Sequence, residues 1–443
     1  MSYASALDSL FSLAGELHTA PGQPRRKFEL SEIRVLAEAL DSPHLKFPSV
    51  LVAGTNGKGS TSATLASILT TAGYRTGLYT SPHLSRVNER VRIGGVEISD
   101  DDLANYYFRV DDCARHLVNA GVLRAHPSFF EAMTALAFLA FAEQHVDIAV
   151  LEVGMGGRLD ATNIVEPLVS VITDISLDHT EWLGTTIPAI SREKAGILRR
   201  NGVLVTLPQH PDANQTIGEV ATELNVRGVN AAVYVPGRDE AEKRSSYSLN
   251  VLGEQIKVDS PLTGAHQQRN IALAIAVAVE LRNNYSYNIS PAQIAEGIRR
   301  TRWPGRMERL TAPGHADVLL DVAHNPAGSW ALRSALSHLD PKPRSLTCVF
   351  ACLADKPIAE LAQILFPLFN SVILTEVNSP RRASLAQMAE AAQPTGVTVH
   401  TAESVWEALE QARATTTPDG LIVVTGSVYL VGAARSLLSE AAE

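Results

Sequence analysis

The residues whose types and spacing most clearly suggest chemistry form a glycine-rich loop, residues 54–61, directly after an apolar run. When such a loop joins a buried strand to a helix, its backbone N–H groups and the helix N-terminus can hold a phosphate. Lys58 would place a positive charge on the outer phosphates of a nucleotide, and Ser60 could reach a magnesium ion. The usual phosphate-loop spacing is not kept, because Val52 replaces the first glycine and Gly59 follows the lysine. We interpret the loop as a nucleotide phosphate site; a plain glycine-rich turn is the alternative.

A second candidate site begins at Glu152, where a carboxylate ends an apolar run and a loop with three glycines follows. Ligands of parallel α/β sheets bind at the carboxyl ends of the strands. Glycines at such a position allow the backbone to approach a ligand closely. Glu152 is therefore predicted to bind Mg²⁺ opposite the phosphate loop, with an ordinary solvated loop acid as the alternative.

Four further residues are weaker candidates when each is taken alone. His179 follows another apolar run, but a lone histidine is more often structural than catalytic. Lys194 lies in a helical pattern, where a lysine is usually a surface charge. Arg306 stands at a break in the pattern and could clamp a phosphate or form a surface ion pair. Asp321 could bind ribose hydroxyls, although the Asn325-Pro326 pair after it is also an ordinary helix start.

Apolar runs alternate with longer helical patterns, which is typical of an α/β fold with a parallel sheet buried on both faces. The predicted strands are residues 49–53, 76–80, 147–152, 168–173, 317–320, 346–350, 372–374, 397–399 and 421–424. The predicted helices follow the phosphate loop to about residue 72 and cover residues 99–119, 267–282 and 291–300. Residues 233–259 are interpreted as a β-hairpin with its turn at Leu252-Gly253.

The segment 301–306 breaks the helical pattern, and a second α/β pattern of about the size of one doubly wound domain follows it. We therefore predict a first domain over residues 1–301, a hinge over 302–307 and a second domain over 308–443. Neither an internal repeat nor a low-complexity run stands out.

The composition narrows the class of protein. The 443 residues include 38 Lys and Arg against 47 Asp and Glu, and a net charge of −9 argues against a dedicated nucleic-acid-binding protein. Three cysteines without a CxxC pair predict neither a disulfide framework nor a structural zinc site. The most apolar stretch, residues 129–142, contains Glu131 and is shorter than a bilayer span. The first residues lack the basic start of a signal peptide, so we expect a cytoplasmic protein.

Taken in order, these segments resemble the folylpolyglutamate synthase/dihydrofolate synthase family of the Mur ligase superfamily, from Phe28 to Tyr429. The matching motifs are GTNGKGS at 54–60, SPHL at 81–84, ERVRI at 89–93, EVGMGGRLDATN at 152–163, DH at 178–179, REKAGI at 192–197, WPGR at 303–306, DVAHNP at 321–326 and TGSVYLVG at 425–432. One such motif would be a weak indication, whereas their occurrence together and in register is highly specific. The resemblance implies an N-terminal P-loop ATPase domain, a smaller C-terminal Rossmann-like glutamate ligase domain, and an active site in the cleft between them.

The resemblance also implies a role for each candidate residue. Lys58, His179 and Lys194 would be catalytic, with Lys194 carbamylated to give an extra anionic group at the metal site. Two Mg²⁺ ions would be bound by Ser60, Ser81, Glu152 and His179. ATP would be contacted by Thr55, Asn56, Gly57, Lys58, Gly59, Ser60, Thr61, Asn270, Arg306, Asp321 and His324. The pterin would face Ser128, Phe129, Phe130, Glu131, Leu159, Asp160 and Ala161, with N-terminal residues near Lys27-Phe28.

The activity implied by the resemblance is the ATP-dependent joining of L-glutamate to the carboxylate of a pteroate or folate through an acyl phosphate. A Mur-type cell-wall amino acid ligase is the alternative, although only about 50 residues precede Gly54, too few for its UDP-binding domain. A GTPase or kinase would leave the second α/β pattern without a role, and a nucleotide-binding scaffold would not need the full set of candidate residues. The sequence leaves open whether dihydropteroate, folates or both are extended, and whether a monovalent cation is needed. A monomer with small-molecule substrates and neither nucleic-acid nor membrane partners is expected.

Overall fold

The computed structural model describes residues 2–13, 29–237, 246–311 and 314–440, and its largest element is an eight-stranded sheet. The strands are β1 (Ser49–Ala53), β2 (Thr76–Tyr79), β3 (Val91–Ile93), β4 (Val96–Glu97), β5 (Ile148–Glu152), β6 (Val169–Ile172), β7 (Val203–Thr206) and β8 (Arg227–Asn230). Their order is β4-β3-β2-β5-β1-β6-β7-β8. Because β1 lies parallel between β5 and β6, the loops after these strands open at the same edge of the sheet.

Both faces of this sheet are covered, as the apolar runs predict. Leu51 and Ala53 of β1 pack into one core, and Val50 and Val52 pack into the other. Successive side chains of a strand point to opposite faces, so a strand buried on both sides shows a continuous apolar run. The helices around the sheet are α1 (Tyr3–Ser12), α2 (Leu30–Ala39), α3 (Lys58–Thr71), α4 (Asp100–Asn119), α5 (Phe129–Glu143), α6 (Thr180–Leu183), α7 (Ile187–Ala195), α8 (Pro211–Glu223), α9 (Ala265–Asn284) and α10 (Pro291–Arg300).

One edge of the sheet differs from the predicted parallel arrangement. β3 pairs antiparallel with β2, and β4 pairs antiparallel with β3. The two edge strands are joined at Gly94 and Gly95, which both have positive φ, as a tight hairpin turn requires. Strands of three and two residues are too short to give a recognisable pattern, so this edge was missed.

The predicted β-hairpin is confirmed as β9 (Ser246–Val251) and β10 (Glu254–Asp259), which pair antiparallel. Leu252 and Gly253 form its turn, with φ of 55° and 84°, as two-residue hairpin turns of type I′ require. Residues 238–245 of the predicted hairpin region lie outside the described residues.

The C-terminal part of the chain forms a six-stranded sheet in the order β11-β12-β16-β13-β14-β15. Its strands are β11 (Glu308–Leu310), β12 (Asp317–Leu320), β13 (Leu346–Phe350), β14 (Ser371–Leu374), β15 (Thr398–Thr401) and β16 (Leu421–Thr425). Only the edge pair of β11 and β12 is antiparallel. The helices are α11 (Pro326–Ser337), α12 (Ile358–Leu365), α13 (Leu385–Ala392), α14 (Val405–Thr415) and α15 (Val428–Glu440). The predicted α/β class is thus confirmed for both sheets.

The segment 301–307 between the two sheets contains neither helix nor strand. Short 3₁₀ segments occur at Pro43–Leu45, Val87–Arg90, Ala161–Ile164, Ala231–Tyr234, Phe366–Leu368 and Gln393–Thr395. Across the described ranges, the helices are too short or too polar to span a bilayer.

Candidate active site

The loop between β1 and α3 has a backbone conformation that favours glycine, and the Lys58 ammonium group lies against it. Gly54 and Gly57 have φ of +153° and +88°, conformations that disfavour a side chain. A Cβ on Gly57 would lie 2.1 Å from Oδ1 of Asn270, so this predicted ATP-binding residue contacts the loop directly. Lys58 begins α3, and its Nζ donates hydrogen bonds to the carbonyls of Gly54 (3.2 Å) and Thr55 (3.1 Å). The ammonium group is thereby held where an anion in the loop would meet it.

The first turn of α3 lies buried beneath the loop and includes Gly59, Ser60 and Thr61. The N–H of Thr61 donates to the carbonyl of Gly57 at 2.9 Å, whereas N–H groups earlier in a helix have no intrahelical acceptor. A Cβ on Gly59 would lie 2.8 Å from Cζ2 of Trp303, in the segment between the two sheets. The glycine that interrupts the usual phosphate-loop spacing therefore makes room for this tryptophan.

Residues after β6 hold the loop in place. The carbonyl of Asp174 accepts hydrogen bonds from the N–H groups of Thr55 (2.9 Å) and Asn56 (3.2 Å). Thr173 Oγ1 donates to the carbonyl of Asn56 at 2.7 Å. The Asp174 carboxylate is in turn fixed by Nε and NH2 of Arg269, at 3.0 and 2.5 Å. Sequence reasoning missed Arg269, for which the only signal was its position beside Asn270.

Lys194, on α7, is 3% exposed, so the alternative of a surface charge is wrong for this residue. Its Nζ donates a hydrogen bond to the carbonyl of Gly54 at 2.7 Å, and Lys58 contacts the same oxygen. Burial, reinforced by the nearby charge of Lys58, lowers the pKa of Lys194 well below its ordinary value. The structure thus favours a neutral amine at this position.

Glu152 ends β5 beside the phosphate loop and is 4% exposed, which excludes a solvated loop acid. Its Oε2 accepts a hydrogen bond from the N–H of Ser81 at 3.2 Å. Burial raises the pKa of Glu152, although the charges of Lys58 and Arg306 oppose this rise. Glu152 is thus a buried carboxylate with the positive charges of Lys58 and Arg306 nearby. Such a carboxylate can help to bind a metal ion next to a phosphate group.

Asp178 joins the two sheets through a cluster of polar contacts. Its Oδ1 accepts a hydrogen bond from Nζ of Lys356 at 2.7 Å, and the two side chains are only 8% and 7% exposed. Its Oδ2 accepts from Nδ2 of Asn325 at 3.0 Å and lies 3.7 Å from Nε2 of His324. Burial alone would raise the pKa of Asp178, but His324, His179 and Lys356 outweigh it and hold that pKa well below its usual range.

His179 follows Asp178 and precedes α6 with a left-handed backbone (φ 50°). Desolvation of the ring lowers the pKa of His179 to about 4, against the opposing charge of Asp178, while the residue as a whole stays exposed at the surface. The imidazole is therefore neutral near pH 7, which is the form that can bind a metal ion.

Arg306 and Asp321 come from the C-terminal side of the site. The Asp321 carboxylate accepts hydrogen bonds from the N–H groups of Met307 (3.0 Å) and Ala323 (3.0 Å), so it also fixes the backbone just before β11. Burial lowers the pKa of Arg306, while the charges of Asp321 and Glu152 oppose the change. Arg306 therefore lies within electrostatic reach of Glu152 from the N-terminal sheet and of Asp321 from the C-terminal part of the chain.

The predicted magnesium ligands Ser60, Ser81, Glu152 and His179 offer one carboxylate, one imidazole and two hydroxyl groups. Among the residues that the structure describes, three or more His, Cys, Asp or Glu side chains do not gather into a metal-binding group. Mg²⁺ commonly keeps several waters and shares nucleotide phosphates, with only one or two protein carboxylates. The buried Glu152 carboxylate beside the phosphate loop fits a magnesium ion bound together with a nucleotide.

Comparison with known proteins places this arrangement in a family. Residues 52–278 match the Mur ligase middle domain, and residues 305–428 match the Mur ligase glutamate ligase domain. The dihydrofolate synthase/folylpolyglutamate synthase of Mycobacterium tuberculosis is 35% identical over 447 residues, covering 93% of this chain and 90% of that protein. The folylpolyglutamate synthase of Lacticaseibacillus casei is 34% identical over 415 residues, covering 92% and 93%. The chain belongs to the folylpolyglutamate synthase/dihydrofolate synthase family of the Mur ligase superfamily.

Solved structures of this family share the fold over almost the whole chain. Mycobacterium tuberculosis folylpolyglutamate synthase complexed with ADP and AMPPCP has a TM-score of 0.85 at 34% identity, covering 98% of this chain and 99% of that one. Escherichia coli FolC in complex with DHPP and ADP has a TM-score of 0.85 at 30% identity, covering 100% and 99%. These relatives are folate ligases, so they favour the folate prediction over the cell-wall ligase alternative.

Some of the predicted pterin-facing residues of this folylpolyglutamate synthase family member cap α5. Ser128 Oγ accepts a hydrogen bond from the N–H of Glu131 (3.3 Å), and Glu131 Oε2 accepts from the N–H of Ser128 (2.8 Å). The capping pair fixes the start of the helix that carries Phe129 and Phe130, whose rings meet edge to face at 5.7 Å. Phe11 stacks on Phe129 at 6.2 Å with an interplanar angle of 10°. The result is a cluster of aromatic rings at the start of α5, in which Phe129 is buried and Phe130 is half-buried.

Asp160 shapes the loop that follows β5. Its Oδ2 accepts a hydrogen bond from the N–H of Gly154 (2.9 Å), and its Oδ1 accepts from the N–H of Thr162 (3.0 Å). Leu159 beside it is partly exposed, and Ala161 is buried. Asp160 thus has a structural task in the loop in addition to any contact with substrate.

Two residues of the C-terminal part were undervalued or missed from the sequence. Asn325, interpreted as a helix start, does cap α11 by accepting from the N–H of Gly328 (2.8 Å). It also exchanges amide hydrogen bonds with Asn56 of the phosphate loop, at 3.3 and 3.0 Å. Lys356 was missed altogether, although it follows the carboxyl end of β13. The predicted contact residues near Lys27-Phe28 lie outside the described residues.

Proposed function

We propose that this chain is an ATP-dependent ligase that joins L-glutamate to the carboxylate of a pteroate or folate, with release of ADP and phosphate. The observation that carries the proposal is the meeting of Lys58, Lys194 and Glu152 at the phosphate loop, beside Asn325 of the second sheet. Lys58 and Lys194 contact one carbonyl oxygen at 3.2 and 2.7 Å. Membership of a family of folate ligases supports the same reaction.

Lys58 and the loop backbone would serve the first half of the reaction. A carboxylate is too poor an electrophile to condense with an amine, so ATP must first convert it to an acyl phosphate. The carboxylate and the γ-phosphate are both anions and repel each other. Lys58 and the N–H groups of the loop would stabilise the charge on the transferring phosphoryl group. Because Lys58 is already held by two loop carbonyls, little reorganisation is needed.

We propose that Ser60, Ser81, Glu152 and His179 hold magnesium ions together with the nucleotide phosphates. When bound, Mg²⁺ would supply positive charge that screens the repulsion between nucleotide and acceptor. The neutral imidazole of His179 and the buried carboxylate of Glu152 provide the protein donors.

We propose that Lys194 is carbamylated in the active protein. A neutral amine adds CO₂ by forming an N–C bond and releasing a proton, and burial favours that neutral form. The carbamate would carry a negative charge where the lysine carried a positive one. It would therefore strengthen cation binding beside the loop.

In the second half of the reaction, the amino group of L-glutamate would attack the acyl carbon, and phosphate would leave to give an amide. Water would compete for the acyl phosphate, so the site must be closed. The contacts of Asp178 with Lys356 and of Asn56 with Asn325 bring the two sheets together over the site. We propose that these contacts help to exclude water.

The domain division remains part of this proposal. A first domain over residues 1–301, a hinge over 302–307 and a second domain over 308–443 would let the C-terminal sheet move over the nucleotide. The irregular backbone at 301–307 supports this boundary. A monomeric state and a cytoplasmic location stay predictions.

The decisive experiment measures phosphate release with ATP, Mg²⁺ and L-glutamate, using dihydropteroate or tetrahydrofolate as the acceptor. Release that requires both glutamate and a pteroate or folate would support the ligase. The ratio of the two acceptor rates would tell a dihydrofolate synthase from a folylpolyglutamate synthase. Acceptor-independent ATP hydrolysis alone would contradict the proposal.

A further inference from the structure

Arg90 is a buried cation to which none of the roles above assigns a task. It ends the 3₁₀ segment Val87–Arg90 and is 5% exposed. Its Nε donates a hydrogen bond to Nδ1 of His83 at 2.9 Å. NH1, by contrast, is buried and lacks a hydrogen-bond partner in the part of the chain that the structure describes. Buried polar groups in native proteins are nearly always paired, so this atom needs an explanation.

The charge of Arg90 also lacks a direct ion-pair partner within the described residues, because none of their ion pairs includes Arg90. The neighbouring Glu89 acts on Arg90 only at longer range. Its carboxylate instead accepts the backbone N–H groups of residues 84–86 at 2.7 to 2.8 Å. A guanidinium keeps its proton in proteins. Arg90 therefore combines a permanent positive charge with an unused donor.

Arg90 has aromatic rings on one side and the charged groups of the phosphate-loop site on the other. Its guanidinium carbon lies 5.0 Å from the ring centroid of Phe129 and 5.8 Å from that of Phe130. Glu152 is close enough for its charge to act on Arg90, and Glu152 in turn feels the charge of Lys58. The loop after Glu152 also meets the aromatic rings, because a Cβ on Gly154 would lie 3.4 Å from Phe130 and 3.4 Å from Ser81. Arg90 therefore lies between the aromatic rings and the phosphate-loop side of the site.

We propose that Arg90 binds the carboxylate of the pteroate acceptor and presents it to the phosphate loop. The inference rests on the proposed ligase function. A pteroate has a flat aromatic body that ends in a carboxylate, which matches the neighbouring aromatic rings and cation of Phe129, Phe130 and Arg90. A guanidinium can donate two parallel N–H bonds to a carboxylate. Because His83 takes Nε, the unpartnered Nη1 of Arg90 remains for that task.

The test compares pteroate with its primary carboxamide, because the amide keeps the aromatic body and removes the negative charge. Calorimetry on the full chain with ADP and Mg²⁺ would give the dissociation constant of each. The unmodified protein is expected to bind the acid about 10- to 100-fold more tightly than the amide, as for a charge-assisted hydrogen bond. Arg90→Gln should bind both compounds alike.

Two further variants separate this role from a structural one. Arg86→Gln is the matched control, because Arg86 is exposed and pairs with Asp100 at 2.5 Å; it should keep the full preference for the acid. Arg90→Lys keeps the charge but not the planar fork and should give an intermediate preference. An unchanged affinity for ADP in each variant would show that the nucleotide loop is intact.

The outcomes also separate this inference from the proposed function. If Arg90→Gln and Arg90→Lys keep the original preference for the acid, the assignment of Arg90 is overturned, while acceptor-dependent phosphate release would still support the ligase. If the unmodified protein binds neither compound and releases no phosphate with a pteroate, the ligase proposal fails and the Arg90 assignment with it.

Discussion

Lys58 is a residue whose charge matters far more for turnover than for folding. Within the described residues its side chain donates hydrogen bonds to two carbonyls of its own loop, and one of these oxygens also accepts from Lys194. We expect Lys58→Ala to abolish detectable turnover, a loss of at least about 10²–10³-fold, as for other groups that stabilise transition-state charge. The melting temperature should change little. Phosphate release and thermal unfolding would be measured, and near-normal activity would refute the assignment.

The control for this variant is Lys46→Ala, because Lys46 is a half-exposed lysine that pairs with Asp41 at the surface. It should leave phosphate release unchanged. A comparable loss of activity in both variants would mean that the effect is not specific to the loop.

Lys194 allows a chemical rescue at the residue scale. If a carbamate at this position is required, Lys194→Ala should lose activity and regain part of it when formate or acetate is added. The same carboxylates should not rescue Lys58→Ala, because that variant has lost a positive charge, which an added anion does not replace. ¹³C-labelled bicarbonate would give a carbamate NMR signal in the unmodified protein only. A free amine in fully active protein would count against carbamylation.

His44 gives a prediction about stability and pH, away from the active site. It is 7% exposed and packs on Phe138, and burial lowers its pKa below 6.5. The folded state then binds fewer protons than the unfolded state. The stability tied to the neutral imidazole is complete above pH 6.5 and is lost as the pH falls below it, by at most about 1.4 kcal/mol per pH unit.

We expect His44→Leu to show a smaller loss of melting temperature between pH 7.5 and 5 than the unmodified protein. Thermal unfolding at a series of pH values would measure it. Parallel pH curves for the two proteins would show that His44 does not titrate in this way.

At the scale of elements, the turn between β1 and α3 offers a test of shape. Gly57→Ala combines an unfavourable φ of +88° with a Cβ 2.1 Å from Oδ1 of Asn270. Gly73→Ala is the matched control, since Gly73 has a φ of +97° but no atom within 4 Å of its Cβ. Both variants should lose about 1–2 kcal/mol of stability through backbone strain. Only Gly57→Ala should lose ADP affinity, as measured by calorimetry; equal affinities would mean that the loop tolerates the displacement of Asn270.

The elements that the sequence predicts well are those with a strong local signal. β1 and β5 are buried on both faces and give continuous apolar runs. The helix predicted over residues 99–119 is confirmed as α4, and Ser99 caps it because its Oγ accepts the N–H of Asp102 at 3.0 Å. The edge strands β3 and β4 were missed because they are short and carry the polar pair of Arg92 and Glu97.

The supporting residues of the site were harder to predict for a different reason. Glu152 ends β5 and Lys58 follows the loop after β1, so position alone makes both candidates. Arg269 meets Asp174 across 95 residues, and Lys356 meets Asp178 across 178 residues. Pairs of this kind are created by the arrangement of the sheets, so no local pattern records them.

At the scale of the whole molecule, the ion pair of Asp178 and Lys356 links the two sheets in a buried position. Lys356→Met should cost about 3–5 kcal/mol, because it leaves a buried carboxylate without its partner. Adding Asp178→Asn should restore part of this loss. Urea unfolding would measure both variants. Arg381→Met removes the more exposed pair with Asp355 and should cost less than about 1 kcal/mol; similar losses in both single variants would mean that the link between the sheets is not special.

The amide hydrogen bonds between Asn56 and Asn325 connect the phosphate loop directly to the C-terminal part of the chain. Binding couplings are reciprocal. If nucleotide binding favours one orientation of the two sheets, holding the sheets in that orientation must raise the affinity for nucleotide by the same factor. A crosslink that holds the two sheets apart should therefore weaken ATP binding without occupying the ATP site.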